Sequence, residues 1–210
     1  MRFVGITGGI GSGKSVVMDY LKEHTSCEIV YADDLAKELY APGTPLNQKM
    51  RDTFSEAKGY SEELFFTDGS INAPVFAKEV LGEKKSREAL NALVHPAVKE
   101  EVLHRVAEHR KAKDVDYFFL EAALLIEDGY KELCDELWYI FVTEDNRRAR
   151  LKVSRGYSDE RIDAAFAMQL HEYEFLDACC VVIDNNGTPE VTYEQLERVL
   201  SLRKPRIHNQ

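Results

Sequence analysis

The chain has 210 residues, 44% apolar and 30% charged, enough for one folded domain with a modest appendage and unlike a disordered segment. Its 37 acidic side chains outnumber 27 basic ones, giving a net charge of −10. That excess disfavours non-specific binding to nucleic acid or an anionic membrane, but it leaves room for a local basic pocket around a phosphorylated small molecule. Four cysteines without metal-ligand spacing, and no leader-like or spanning run, make a cytoplasmic protein the expectation. Cys179-Cys180 reads as core packing.

In chain order, Arg2 to Thr7 reads as a buried strand and residues 14 to 24 as a helix with Val16, Val17, Tyr20 and Leu21 on one face. A second strand, Cys27 to Tyr31, runs into a helix around Asp34 to Tyr40 that ends at Pro42-Gly43. Both strands read as buried on two faces, the pattern of a parallel α/β sheet. Residues 43 to 111 then predict helices alone: one over Leu46 to Phe54, one opening at Pro74 and one opening at Pro96. Sheet character resumes at DVDYFFLEAALLI, 114 to 126, and ELWYIFV, 136 to 142. A charged helical hairpin turns near Gly156. CCVVIDN and TYEQLERVLSLRK give a last strand and helix, and the tail PRIHNQ is expected to fray.

Between the first strand and first helix stands GGIGSGKS, residues 8 to 15. Gly8-x-x-x-x-Gly13-Lys14-Ser15 is the phosphate-loop pattern at its required junction. Its glycines let backbone N–H groups converge on one concavity, and the helix start adds unpaired donors and a positive dipole end. Lys14 supplies mobile charge for the β and γ phosphates, and the Ser15 hydroxyl suits Mg2+. A nucleoside triphosphate site follows; the fate of its γ-phosphate stays open at this point.

Transfer needs an aligned acceptor and countercharge. In a parallel sheet, ligands gather beyond the carboxyl ends of strands. Asp33 and Asp34, after the second strand, can therefore orient an acceptor hydroxyl, although Asp34 equally suits a helix N-cap. Arg147, Arg148, Arg150, Lys152 and Arg155 form either a solvated helix face or a flap over triphosphate. His95 is either structural or an acceptor ligand at a helix start.

The ordered set GITGGIGSGKS, YADDLAKEL, LVHPAV, EAALLIEDGY, RRARLKVSRGYS, Gln169 and VIDNNG resembles the dephospho-coenzyme A kinase family over most of residues 3 to 200. The resemblance implies an α/β phosphate-loop kinase fold, a parallel sheet flanked by helices, with a helical insert and a lid. The core would be 1–42, 112–142 and 178–205, the coenzyme-binding insert 43–111 and the lid 143–177. It implies transfer of the ATP γ-phosphate to the ribose 3′-hydroxyl of dephospho-coenzyme A, with Mg2+; the sequence does not fix the oligomeric state, for which a monomer is the working expectation. Asp33 becomes the base, and Lys14 and Arg147 the charge partners in transfer. ATP would be held by Gly9, Ile10, Gly11, Ser12, Gly13, Lys14, Ser15 and Val16, by Arg148 and Arg150, and by Asn185, Asn186 and Gly187 near adenine. Ser15 would meet the metal. Asp33, His95, Leu124 and Glu127 would surround the acceptor.

Several positions depart from the family pattern. Val16 stands for a common Thr, Tyr31 for a first Asp, and Ala123 for a proline. Ile71-Asn72-Ala73 stands where many relatives carry Leu-Asp-Arg, so one phosphate or coenzyme contact is either missing or supplied elsewhere, by Lys78 or Arg87. A kinase for another alcohol and a regulatory NTPase remain the rival readings.

Overall fold

The computed structural model describes residues 1–203; the expected frayed tail lies outside them. Five strands, β1 (Arg2–Thr7), β2 (Cys27–Tyr31), β3 (Tyr117–Glu121), β4 (Glu136–Phe141) and β5 (Val181–Asp184), form one sheet in the order β2-β3-β1-β4-β5. The β1–β3, β1–β4 and β4–β5 pairings are all parallel, with Ile6 opposite both Glu121 and Trp138. β1 is central and buried from Phe3 to Thr7, as its apolar run requires. β2 is an edge strand in which only Val30 is buried, so the expectation of burial on both faces fails there. Strand order decides which apolar strand is central, and a local pattern does not carry that order.

The chain divides into two compact units, Met1–Ile29 with the residues from Lys113 onward, and Val30–Ala112. In the first, Phe3, Ile6, Phe118, Phe119, Leu120, Trp138 and Ile140 fill the sheet core, with Phe3 and Phe118 edge to face at 5.5 Å. Each such side chain contributes roughly 1.5–3 kcal/mol by leaving water. α1 (Lys14–His24) buries Val17, Met18, Tyr20 and Leu21 and stops where Thr25 turns both its N–H and its hydroxyl to the Leu21 carbonyl. Sheet structure ends at Glu121, short of the expected 126, because the chain turns at once through residues 123–129. Cys179 is buried but Cys180 is exposed, so only the first is core. The remaining helices of this unit are α6 (Glu144–Arg155), α7 (Asp159–Phe166), α8 (Glu172–Ala178) and α9 (Pro189–Arg203). Here α6 and α7 make the expected hairpin, and Gly156 caps α6 at φ 61°, a left-handed turn suited to glycine.

The second unit opens with the end of β2 and includes α2 (Ala32–Leu39). α2 is capped at Tyr31, with Asp33 and Asp34 in its first turn. Asp34 is thus not the N-cap; its carboxylate accepts from Lys37 Nζ at 2.7 Å. α3 (Pro45–Thr53), α4 (Ala73–Phe76) and α5 (Lys84–Ala112) follow, and α4 loosens into a wide turn over 77–81. Leu46, Met50, Phe54, Leu64, Phe76 and Val80 form this unit's own core. α5 runs unbroken through Pro96, so His95 lies mid-helix and not at a helix start.

Candidate active site

The glycine loop, residues 8–13, follows β1 directly. Gly13 caps α1 at φ 79°, a left-handed conformation, and a Cβ there would lie 2.6 Å from the Asn185 amide nitrogen. Glycine is therefore required twice over, by backbone and by space. The Ser12 N–H donates to Gly9 O at 3.1 Å, which tightens the loop. The N–H groups of Lys14 and Ser15 open α1, where helix geometry supplies them no partner. Lys14 Nζ donates to Gly8 O at 2.9 Å and stands 3.4 Å from the Glu121 carboxylate at the end of β3.

A second layer of side chains fixes this loop. Asn185, just beyond β5 and 5% exposed, donates its amide to Ser12 O at 2.7 Å and accepts from the Thr192 hydroxyl at 2.8 Å. Arg150 donates to Asn185 O at 2.7 Å and reaches Ser12 O at 3.5 Å. Asn186 accepts at its side-chain oxygen from the Thr143 N–H, the Thr143 hydroxyl and the Asn146 amide, which ties the β5–α9 turn to the start of α6. Both asparagine side chains are thus engaged with protein, and exposed Gly187 is left with its backbone.

The arginines expected together take different roles. Arg148 bonds Asp159, Asp163 and Glu144, an ion-pair cluster inside the hairpin that raises its guanidinium pKa above the usual value. Arg147 turns toward the loop. Its guanidinium lies 4.3 Å from the Phe166 ring centroid, donates to Gln169 Oε1 at 2.9 Å, and would overlap a Cβ at Gly9. Burial lowers its pKa, as expected for a cation held out of water. Its Nε is buried without a hydrogen-bond partner among the described residues, as is Ser12 Oγ. Orphaned buried donors at a glycine cradle are what an anionic phosphate would satisfy. The Ser15 hydroxyl, exposed in the first turn of α1, is a hard oxygen ligand of the kind Mg2+ accepts.

Of the other expected residues, Asp33 and His95 lie in the helical unit, Asp33 exposed in the first turn of α2. Leu124 and Glu127 stand exposed in the turn after β3, and partial burial raises the Glu127 pKa. Glu121, Thr192 and Phe166 were not singled out from the sequence. Glu121 could have been read as the carboxyl end of a strand, but only strand order brings it to Lys14.

The family model described as dephospho-CoA kinase matches residues 2–190. The dephospho-CoA kinase of Carboxydothermus hydrogenoformans is 34% identical over 200 residues, covering 95% of this chain and 93% of the relative. Among solved structures, TT1252 from Thermus thermophilus superposes at a TM-score of 0.78 with 23% identity, over 97% of this chain and 98% of that one. The dephospho-CoA kinase from Campylobacter jejuni gives 0.69 with 19% identity, over 95% of each. These two likenesses establish the shared phosphate-loop kinase fold, and with the full-length sequence match the chain belongs to the dephospho-CoA kinase family.

Proposed function

We propose that the protein performs its family's reaction, moving the ATP γ-phosphoryl group to the ribose 3′-hydroxyl of dephospho-coenzyme A, the final step of coenzyme A synthesis. The observation that carries this reading is the glycine cradle with Lys14 at its base and the half-buried Arg147 guanidinium beside it. Such an array offsets charge on a transferring phosphoryl group, which is most of what a kinase must do.

Transfer is direct and in line. The bond from the 3′-oxygen to phosphorus forms, the bond from phosphorus to the β–γ bridging oxygen breaks, and ADP leaves. Asp33, two residues past the end of β2, aligns the hydroxyl and takes its proton. Lys14 and the N–H groups of residues 9–16 hold the triphosphate, and Arg147 adds countercharge. The Ser15 hydroxyl would hold Mg2+, which would supply further charge neutralisation. The Asn185-Asn186-Gly187 turn borders the adenine through backbone atoms, with Arg150 bracing it. Residues 43–111, with His95, and the Leu124–Glu127 turn receive the acceptor; residues 143–177 act as the lid that excludes water. Among the described residues no helix is long and apolar enough to cross a membrane, and we place the enzyme in the cytoplasm as a monomer.

The test follows ADP release from Mg2+-ATP with dephospho-coenzyme A, adenosine, AMP or no acceptor. ADP formed only with dephospho-coenzyme A, with stoichiometric coenzyme A by mass spectrometry, is expected. Equal release without acceptor would make the protein an NTPase, and faster turnover with another alcohol would replace the acceptor. Asp33→Asn should lower turnover about 100-fold or more with ATP affinity nearly intact; undiminished turnover would remove it as the base.

A further inference from the structure

Gln169 sits in the turn that follows α7, its N–H donated to Phe166 O at 3.1 Å. Its side-chain oxygen accepts two hydrogen bonds at once, from Arg147 Nη1 at 2.9 Å and from the N–H of Ile10 in the glycine loop at 3.2 Å. The same oxygen would be 3.0 Å from a Cβ placed on Gly9. One carboxamide therefore joins the half-buried arginine to the crest of the phosphate cradle. The guanidinium also lies over the Phe166 ring, 4.3 Å from its centroid, so the arginine is held by a ring and an amide supplied from one short stretch of chain.

Both donors on that oxygen are donors a phosphate would use. The Ile10 N–H belongs to the loop, and Arg147 keeps a buried Nε without a partner among the described residues. A neutral amide oxygen holds the Ile10 N–H more weakly than an anionic phosphate oxygen would, because bonds with one ionised partner are roughly twice as strong. Gln169 can therefore aim Arg147 and still give up its share of the donors when phosphate competes. A carboxylate at the same place would not yield so readily.

We propose that Gln169 is a positioning residue for phosphoryl transfer: its carboxamide oxygen aims Arg147 across the glycine loop and surrenders the Ile10 N–H to a nucleotide phosphate. This inference rests on the reading of residues 8–15 as the triphosphate site. It predicts that two substitutions move nucleotide affinity in opposite directions. Gln169→Leu removes the competing acceptor and frees Ile10. ATP binding should tighten, while kcat falls at least 10-fold because Arg147 is no longer aimed. Gln169→Glu keeps both donors engaged and adds negative charge, so ATP binding should weaken at least 10-fold and stay weak down to pH 5, because a carboxylate bonded to Arg147 and the Ile10 N–H remains ionised there. A purely structural residue would shift both variants the same way.

The experiment measures ATP affinity by calorimetry, kcat with dephospho-coenzyme A, and thermal midpoints for the full chain and both variants. Opposite shifts in affinity, with kcat lost in Gln169→Leu, support the proposal. Parallel shifts, or Gln169→Leu at parental kcat, overturn it. Absence of ATP binding by the parent would instead overturn the triphosphate-site reading, and the proposal with it. Should a Gln169 variant fail to fold, Gly9→Ala disturbs the same contact from the loop side, since its methyl would overlap the Arg147 guanidinium and crowd the Gln169 oxygen. The expected result there is again a kcat loss of at least 10-fold, and undiminished kcat overturns the proposal.

Discussion

Individual side chains at the site divide into those that would meet phosphate and those that hold the cradle in shape. Asn185 belongs to the second class, although VIDNNG in the sequence pointed to nucleotide contact. Its amide donates to Ser12 O and its oxygen accepts from Thr192, both within a buried setting. Asn185→Asp keeps shape and volume but puts an acceptor against the Ser12 carbonyl. A buried acceptor left without its donor costs about 1–3 kcal/mol, so urea unfolding at pH 7 should show a loss of that size. Acidification should restore part of it, because a protonated carboxyl donates again and the folded state thereby raises that group's pKa. If Asn185 instead serves only the nucleotide, stability stays at the parental value and ATP affinity alone drops.

Among elements, the α6–α7 hairpin separates two adjacent arginines by function. Positions 147 and 148 lie about 100° apart around a helix, so one faces the glycine loop while the other faces α7. Arg148 is committed to Asp159, Asp163 and Glu144, and Lys152 also meets Asp159. Arg147→Ala should lower kcat by about 100-fold or more, the scale of lost charge stabilisation in phosphoryl transfer. Arg148→Ala should lower it by only a few-fold, through a looser hairpin; equal losses would put both arginines on phosphate. The hairpin itself was legible from its charge pattern and Gly156, whereas the pairing partners were not, since they depend on how α7 folds back. α5 shows the complementary failure. Proline inside a helix forfeits one backbone hydrogen bond and costs about 3 kcal/mol, which is why Pro96 read as a helix start. Leu90, Leu93 and Val94 before it pack on the helical unit's core, and Val98, Val102 and Val106 after it are buried. Packing on both sides of the proline outweighs the local penalty, and a local reading of propensity does not include it.

At the scale of the whole molecule, the phosphate loop and the α/β order were readable because each rests on contiguous residues. Strand order and the exposure of β2 were not, since they arise from contacts between distant segments. The same distinction governs the acid limb of stability, which the net charge of −10 alone would not assign to particular groups. Among the described residues, four carboxyls are held below their usual range: Asp159 by hydrogen bonds from Lys152 and Arg148, Asp68 by Ser70, Glu160 by backbone and Ser158, and Glu190 by Thr188. A depressed folded-state pKa means stabilisation that is fully present above the unfolded value, about 4, and lost as pH falls through the lower folded value. Glu127 works in the opposite direction, because burial raises its pKa and protonation favours the folded form. With four groups against one, the urea midpoint should be flat from pH 8 to about 5 and fall modestly below about pH 4, since all four carboxyls are exposed and solvent screens their partners. Asp159→Asn should shallow that fall while leaving the plateau slightly lower, since it also removes a partner of Arg148 and Lys152. An undiminished acid slope in that variant would mean that the hairpin's ion pairs do not contribute to the pH dependence and that the other three carboxyls carry it.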